Sequence, residues 1–171
     1  MKKRITVFLI VLASLILICS YWENIAYKLN QILPSAGSYP FAEQFELNFS
    51  NDKAIKAVKK FKEIHPEYKV PNITINNQRI EELNDGKNDR HDHWYHIYFY
   101  YKEKNEIVNA YLRGGENSTT LAIVSINKGL DIGNWKDINR DYILLENKEK
   151  IKEFEIRIVN EIKLILKENK L

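Results

Sequence analysis

The stretch that decides the fold is WYHIYFYYKEKNEIVNAYLRGGENSTTLAIVSIN, residues 94–127. It contains three segments rich in aromatic and β-branched residues, at 94–102, 107–113 and 119–127. Polar residues at 103–105 and the pair Gly114-Gly115 separate these segments. Such short turns join antiparallel neighbours, because a parallel pair needs a long crossover connection. The stretch therefore predicts an antiparallel meander of three strands.

Amphipathic helices flank the meander. At 51–65 apolar side chains recur every three or four positions, which is typical of a helix with one buried stripe, and Pro66 ends it. The same spacing recurs over 147–167. Between the first helix and the meander, 72–76 alternates isoleucine with polar residues and predicts a further short strand. We expect an α+β domain in which two helices pack on one face of an antiparallel sheet of about four strands.

The two helices carry specific expectations about burial. The buried stripes are predicted to be Ala54, Ala57, Val58, Phe61, Ile64 and His65 in the first helix, and Ile151, Phe154, Ile158, Ile162, Ile165 and Leu166 in the second. The charged residues expected to face water are Lys53, Lys56, Lys59, Lys60 and Lys62 in the first helix, and Glu149, Lys150, Lys152, Glu153 and Lys163 in the second. Ser50 or Asn51 is expected to cap the first helix. Its basic face would also suit anionic lipid or an acidic partner.

The N-terminus carries the longest apolar run of the chain. After Met-Lys-Lys-Arg, residues 5–22 contain no charge. As an α-helix these 18 residues span roughly 27 Å, close to the bilayer core thickness of about 30 Å. Tyr21 and Trp22 end the run, and amphipathic aromatic residues favour the membrane interface. We predict a transmembrane signal-anchor at 5–22 that contacts the lipid bilayer.

The charges around this run predict its orientation in the cell membrane. Three basic residues at 2–4 precede it, whereas behind it Lys28 is accompanied by Glu23. Positive charges are retained on the cytoplasmic side. The predicted single-pass organisation is a cytoplasmic leader, the anchor, a connector and an extracytoplasmic domain, at 1–4, 5–22, 23–42 and 43–171.

Two alternatives to an uncleaved anchor stay open. A cleaved signal peptide has an apolar core of about 7–15 residues and small residues before the cut. The run here is longer, and cleavage after Ser20 would leave Ile18 at the third position back. A lipoprotein signal needs a small residue just before its cysteine, whereas Cys19 follows Ile18. The uncleaved anchor fits the pattern best, and Cys19 is then a small apolar residue of the span.

The composition argues against several classes of protein. The chain has 26 basic and 23 acidic residues, and the excess of three lies in the leader. The neutral remainder lacks the basic footprint that nucleic acid requires. A single cysteine excludes an internal disulfide and a cysteine-rich zinc site. The abundance of isoleucine, lysine and asparagine is typical of AT-rich bacterial genomes.

One candidate for chemistry is the sequence DRHDHWYH, which begins at Asp89. In an extended chain His91 and His93 project to the same side, whereas His96 projects to the opposite side. With Asp89 or Asp92 the two imidazoles would provide ligands for zinc, nickel or copper. A metal site at these residues is the alternative hypothesis. The favoured interpretation is a polar loop that leads into the strand and holds no cofactor.

The strand predicted at 94–102 has bulky side chains on both faces. One face carries Trp94, His96, Tyr98 and Tyr100, and the other carries Tyr95, Ile97, Phe99 and Tyr101. One face must pack under the helices. The other is either covered as well, in an interior strand, or forms a tyrosine-rich surface of the kind common in recognition sites. The candidate binding residues are therefore Trp94, Tyr98 and Tyr100.

Signatures of common enzyme classes are missing from the sequence. It has no Gly-x-Ser-x-Gly elbow, no glycine-rich phosphate loop and no cysteine outside the predicted span. We expect a non-enzymatic, membrane-anchored interaction module with a protein partner in the cell envelope and no nucleic-acid partner. The alternative is a metal-binding protein or a metal-dependent enzyme that uses His91 and His93.

Overall fold

The computed structural model describes residues 2–32, 39–75, 78–80, 83–87 and 93–168. The chain folds as an α+β protein with an antiparallel main sheet, as predicted. The helices are α1 (Lys2–Ile32), α2 (Asn51–Ile64), α3 (Leu144–Phe154) and α4 (Asn160–Lys167). The strands are β1 (Glu43–Leu47), β2 (Ile73–Ile75), β3 (Gln78–Ile80), β4 (Tyr95–Tyr101), β5 (Glu106–Gly114), β6 (Thr119–Lys128), β7 (Asp131–Ile132) and β8 (Trp135–Asp137).

The predicted meander forms the centre of the main sheet. Strands β4, β5 and β6 pair antiparallel in chain order, and the strand order is β1-β6-β5-β4. Strand β8 pairs with β6 at 125–127, beyond the stretch of β6 that pairs with β1. The two polar turns therefore join antiparallel neighbours, as their lengths required.

The fourth strand of the main sheet is not the one predicted. The segment at 72–76 contributes β2, which pairs antiparallel with β3 and parallel with β7 in a separate small sheet. The main sheet takes β1 instead, a strand that the sequence analysis did not assign. Strand β1 has two apolar residues, Phe45 and Leu47, in five positions. That is too few to define an alternating pattern.

Helix α2 covers the main sheet on the core side. Its predicted stripe is confirmed at four positions, which are fully buried: Ala54, Ala57, Val58 and Phe61. Ile64 was assigned wrongly, because α2 ends at this residue and 50% of its surface is exposed. Ser50 occupies the N-cap position, but its side chain makes no capping hydrogen bond. The buried stripe, and not the cap, holds α2 in place.

The predicted last helix is one continuous element made of α3, a π-helical turn at Glu155–Val159 and α4, called the C-terminal helix below. Its apolar stripe is confirmed, with Ile151 partly buried and the other five residues buried. Lys150 and Glu153 were expected to face water, but both form ion pairs with residues of the β4–β5 turn. Lys150 lies 3.3 Å from Glu106, and Lys104 lies 2.6 Å from Glu153. The helix crosses that turn, so its charges meet those of the turn.

Helix α1 extends ten residues beyond the apolar run predicted to cross the membrane. Its segment Ile10–Leu29 has the length and apolar composition needed to cross a membrane, and 0% of it is buried against the domain. Two polar contacts join the last third of α1 to the domain. Tyr27 donates a hydrogen bond to the Tyr142 carbonyl at 2.9 Å, and Lys148 lies 2.8 Å from Glu23.

Candidate functional site

The face of the main sheet that turns away from the helices, called the second face below, combines aromatic and polar side chains. Because Ile97, Phe99 and Tyr101 point into the core, their neighbours in β4 point to this second face. One row of residues in register crosses four strands: Tyr98, Asn109, Ser125 and Asp137. The adjacent row contains Tyr100, Ile107, Asn127 and Trp135. Neither row has the uniform apolar character of the core face.

An aromatic cluster lies at one end of the second face. Tyr39, from the end of the predicted connector, stacks on Tyr111 with ring centroids 5.3 Å apart and meets Trp94 edge-on at 5.2 Å. Trp94 also packs edge-on against Tyr111 at 4.3 Å. The exposed Arg113 guanidinium lies 4.5 Å from the centroid of the Trp94 ring. Aromatic rings paired in this way stabilise one another; Tyr111 is buried, whereas Tyr39 and Trp94 are half-buried beside the exposed cation.

A cavity of about 240 Å³ with mixed polar and apolar walls lies beside this cluster, between 39–42 and the sheet. Its floor contains Asn109, Val124, Ser125 and Asp137. Val124 is the extra residue of a β-bulge, since Asn109 pairs with Ser125 and the next residue of β5 pairs with Ile123. The Oδ1 atom of Asn109 is buried and has no hydrogen-bond partner in the described part of the chain. It is an acceptor next to the cavity.

Burial raises the pKa of both titratable side chains in the row that runs from Tyr98 to Asp137. Burial raises the pKa of Asp137, against the opposing effect of Arg140. Burial also raises the pKa of the Tyr98 hydroxyl, with smaller contributions from Tyr39 and Asp85. Arg140 holds Asp137 in an ion pair at 2.8 Å. The arrangement is therefore suited to hydrogen bonding and stacking, because its carboxylate is already engaged by a cation.

The outer edge of β4 is covered by the segment 83–87. Gly86 exchanges two backbone hydrogen bonds with His96. Lys62 donates to Asp85 at 2.7 Å and to the Tyr98 carbonyl at 2.7 Å, and Asp85 accepts the Tyr98 amide at 3.0 Å. Lys62 was expected in water, but its side chain is only 13% exposed. Burial lowers the pKa of Lys62, and Asp85 opposes that effect.

The candidate binding residues share the second face but differ in their surroundings. Trp94 belongs to the aromatic cluster, and Tyr98 lies near Trp135 with ring centroids 6.3 Å apart. Tyr100 donates a hydrogen bond to Asn105 at 3.0 Å. All three side chains are half-buried. Strand β4 is the last strand of the main sheet, and the assignment of these three residues to a binding face stays a prediction.

The histidine cluster is only partly within the described residues. His91, Asp89 and Asp92 lie outside them. His93 is exposed, whereas His96 is 6% exposed on the second face. Over 2–32, 39–75, 78–80, 83–87 and 93–168 no three potential metal ligands come together. The alternative hypothesis of a metal site at Asp89, His91 and His93 stays a prediction.

Comparison with known proteins found no relative of this chain. No protein-family model, curated protein or solved structure matches this chain.

Several residues of the second face were not anticipated from sequence. Strand alternation and the short turns would have placed Asn109 and Tyr111 beside Tyr98 and His96, because a tight hairpin fixes the register. No such signal exists for Tyr39 and Asp137. They reach the second face through a connector and a short strand that have no periodic pattern.

Proposed function

We propose that this protein is a single-pass membrane-anchored protein whose α+β domain is a non-enzymatic protein-interaction module outside the cytoplasm. The observation that carries the proposal is the second face, where Trp94, Tyr98 and Arg113 lie on one side of a sheet and helices α2, α3 and α4 pack on the other. Tyrosine, tryptophan and arginine are the residues enriched in protein interfaces and in their energetic hot spots.

The proposed anchor is supported by residues 5–22 and by the apolar length of α1. Three basic residues before the run favour a cytoplasmic N-terminus. A cleaved signal peptide is the alternative, because an apolar N-terminal helix of this kind also occurs in signal sequences. The mature N-terminus distinguishes the two: an anchored protein retains residues 5–22, and a cleaved one begins near Tyr21.

The charges of the second face define the kind of partner. Arg113 and Glu46 are exposed and carry opposite charges, and Asp137 is half-buried, so neither sign dominates. Such a face recognises its partner through stacking and hydrogen bonds more than through net charge. We therefore expect the affinity to change less than about threefold between low and physiological salt, unlike an electrostatically steered complex.

Site-specific photocrosslinking in native membranes tests the interaction. A photoreactive amino acid replaces Tyr98 or Arg113 in the full-length chain, and the exposed α3 residue Lys152 is the control position. The proposal predicts a crosslinked envelope protein from the two second-face positions and none from Lys152. The same product from all three positions, or no product from the second face, would contradict it.

Binding measurements then test the role of each residue. With the crosslinked partner purified, Arg113→Ala and Tyr98→Ala are expected to weaken binding by at least about tenfold, the effect of a hot-spot residue. Lys152→Ala should bind like the wild type. Thermal melting of each variant separates lost contact from lost folding, and wild-type affinity in folded second-face variants would refute the proposed surface.

A further inference from the structure

We propose that Ile143 and Leu145, at the start of α3, insert into the outer leaflet of the bilayer beside α1. The domain then rests on the membrane surface and does not hang free from its connector. This inference depends on the proposed membrane anchor, and it goes further by giving the membrane a second contact.

The first observation is an apolar protrusion on the domain. The run Ile143-Leu144-Leu145 opens α3, and Ile143 and Leu145 are 72% and 68% exposed. Large aliphatic side chains exposed next to each other are costly in water and indicate a surface that is covered in the working protein.

The second observation is the position of this protrusion against α1. A cavity of about 620 Å³ separates the two elements. Its apolar walls come from both sides: Leu15, Ile16 and Cys19 of α1, and Ile143, Leu144 and Leu145 of the domain. Glu23, Asn24 and Lys148 also line it. The lining is thus apolar toward the middle of α1 and polar toward its C-terminal part.

The polar contacts between α1 and the domain indicate where the membrane surface lies along α1. Glu23 and Lys148 form an ion pair, and Lys148 lowers the pKa of Glu23, so both groups are charged and belong at or above the headgroups. With a rise of about 1.5 Å per residue, Leu15 and Cys19 lie roughly 12 Å and 6 Å below Glu23. Apolar groups of interfacial helices reach about 5–10 Å into the headgroup and acyl boundary. Ile143 and Leu145 line the same cavity as Leu15 and Cys19, so they lie at about this depth.

The contacts of Glu23 and Tyr27 with the domain also distinguish two possible positions of the membrane-spanning segment. A span at Ile10–Leu29 would place Glu23, Tyr27 and the domain residues bound to them in hydrocarbon. A span at 5–22 leaves these polar groups outside it. The position predicted from the charge-free run is therefore the one compatible with the contacts of the domain.

Lipid acyl chains are the occupant that fits the cavity. One wall belongs to the helix proposed to face lipid, and the facing wall is formed by the protrusion. The protrusion offers aliphatic side chains and no tryptophan, tyrosine or arginine, the residues typical of protein hot spots. A second protein is thus the less suitable occupant.

Fluorescence quenching in nanodiscs tests the insertion with the full-length chain. Cys19 is the single cysteine, so NBD on it reports whether α1 is in the bilayer. In a Cys19→Ala background, NBD is attached to Leu145→Cys or to the control Ile156→Cys. Ile156 lies further along the C-terminal helix and is 54% exposed. We expect doxyl-labelled lipids to quench the label at 145 at least about twofold and to leave that at 156 unchanged.

The outcomes separate this inference from the anchor itself. Quenching at 19 without quenching at 145 would keep the anchor and overturn the second contact. Equal quenching at 145 and 156 would also overturn it, because the contact would not be specific to the start of α3. Absence of quenching at both 19 and 145 would refute the anchor, and the second contact with it.

Discussion

At the scale of single residues, the hydroxyl of Tyr101 is the clearest unsatisfied group in the core. Tyr101 is 1% exposed, and its oxygen has no hydrogen-bond partner among the described residues. The Arg157 guanidinium lies 4.2 Å from the centroid of its ring and pairs with Glu103 and Glu153. The ring therefore contributes packing and a cation contact, whereas the hydroxyl contributes a desolvation cost.

We predict that Tyr101→Phe leaves stability unchanged or raises it by about 1 kcal/mol, because it removes a buried polar atom that has no partner. Tyr100→Phe in the same strand is the control. Tyr100 donates a hydrogen bond to Asn105, so removing its hydroxyl should lower the free energy of unfolding by about 0.5–1 kcal/mol. Urea unfolding of both variants in nanodiscs measures the difference, and a loss above about 1 kcal/mol for Tyr101→Phe would show that its hydroxyl has a partner.

The same hydroxyl predicts a dependence on alkaline pH. Burial raises the pKa of Tyr101 far above its ordinary value of about 10. Above the unfolded pKa the unfolded chain loses this proton while the folded chain keeps it, so the free energy of unfolding falls as pH rises. The stability of the wild type should therefore fall above about pH 10, and Tyr101→Phe should make that fall shallower. Equal slopes in the two proteins would contradict the assignment.

At the scale of elements, the edge of β4 depends on a lysine that sequence patterning placed in solvent. Lys62 follows the helical pattern of an exposed lysine, and its partner Asp85 is 23 residues away. Only the folded chain brings Asp85 to the Tyr98 amide and Lys62 to the Tyr98 carbonyl. These bonds occupy the edge groups of β4, which would otherwise be open to pairing with another strand.

We predict that Asp85→Ala destabilises the protein by about 2–3 kcal/mol, because it leaves a buried ammonium without its carboxylate. The double variant Lys62→Met/Asp85→Ala should recover part of that loss, since it removes the uncompensated charge as well. Lys60→Met is the control, because the Lys60–Glu63 pair is exposed and should contribute less than about 0.5 kcal/mol. Denaturant unfolding gives these energies, and a double variant less stable than Asp85→Ala would contradict the argument.

The elements also show what the sequence could predict. The meander, α2 and the C-terminal helix have long periodic patterns, and all were placed correctly. Strands β1, β7 and β8 are two to five residues long and take their structure from pairing with distant partners. The same contrast holds for the second face. The alternation along the strand predicted at 94–102 placed Trp94, Tyr98 and Tyr100 on one face. Tyr39 and Asp137 depended on tertiary contacts that carry no local signal.

At the scale of the whole molecule, the predicted domain boundary at 43 cuts through a packed segment. Tyr39 contacts Trp94 and Tyr111, and the Phe41 carbonyl accepts a hydrogen bond from Asn139 at 3.1 Å. The connector is therefore partly a structural component of the domain, and its end covers one part of the second face.

We predict that a soluble chain of residues 33–171 folds as a monomer or weak oligomer and that a chain of residues 43–171 is less stable by about 2–4 kcal/mol, the cost of removing a packed aromatic ring. In the longer chain Tyr39→Ala should reproduce most of the loss. The control Tyr100→Ala removes a half-buried ring of the same kind and should cost less. Equal stability of the two chains would show that 39–42 does not contribute to the fold.

We propose that α1 anchors the domain outside the cytoplasm, and protease accessibility in intact cells measures this orientation. Protease is added to intact spheroplasts that contain the full-length protein with a tag at its C-terminus. We expect the domain to be digested while the membrane is intact and an N-terminal fragment containing α1 to stay in the membrane pellet. A domain that resists digestion until the membrane is broken would contradict the proposed orientation, and a tagged protein released into the medium would contradict the anchor.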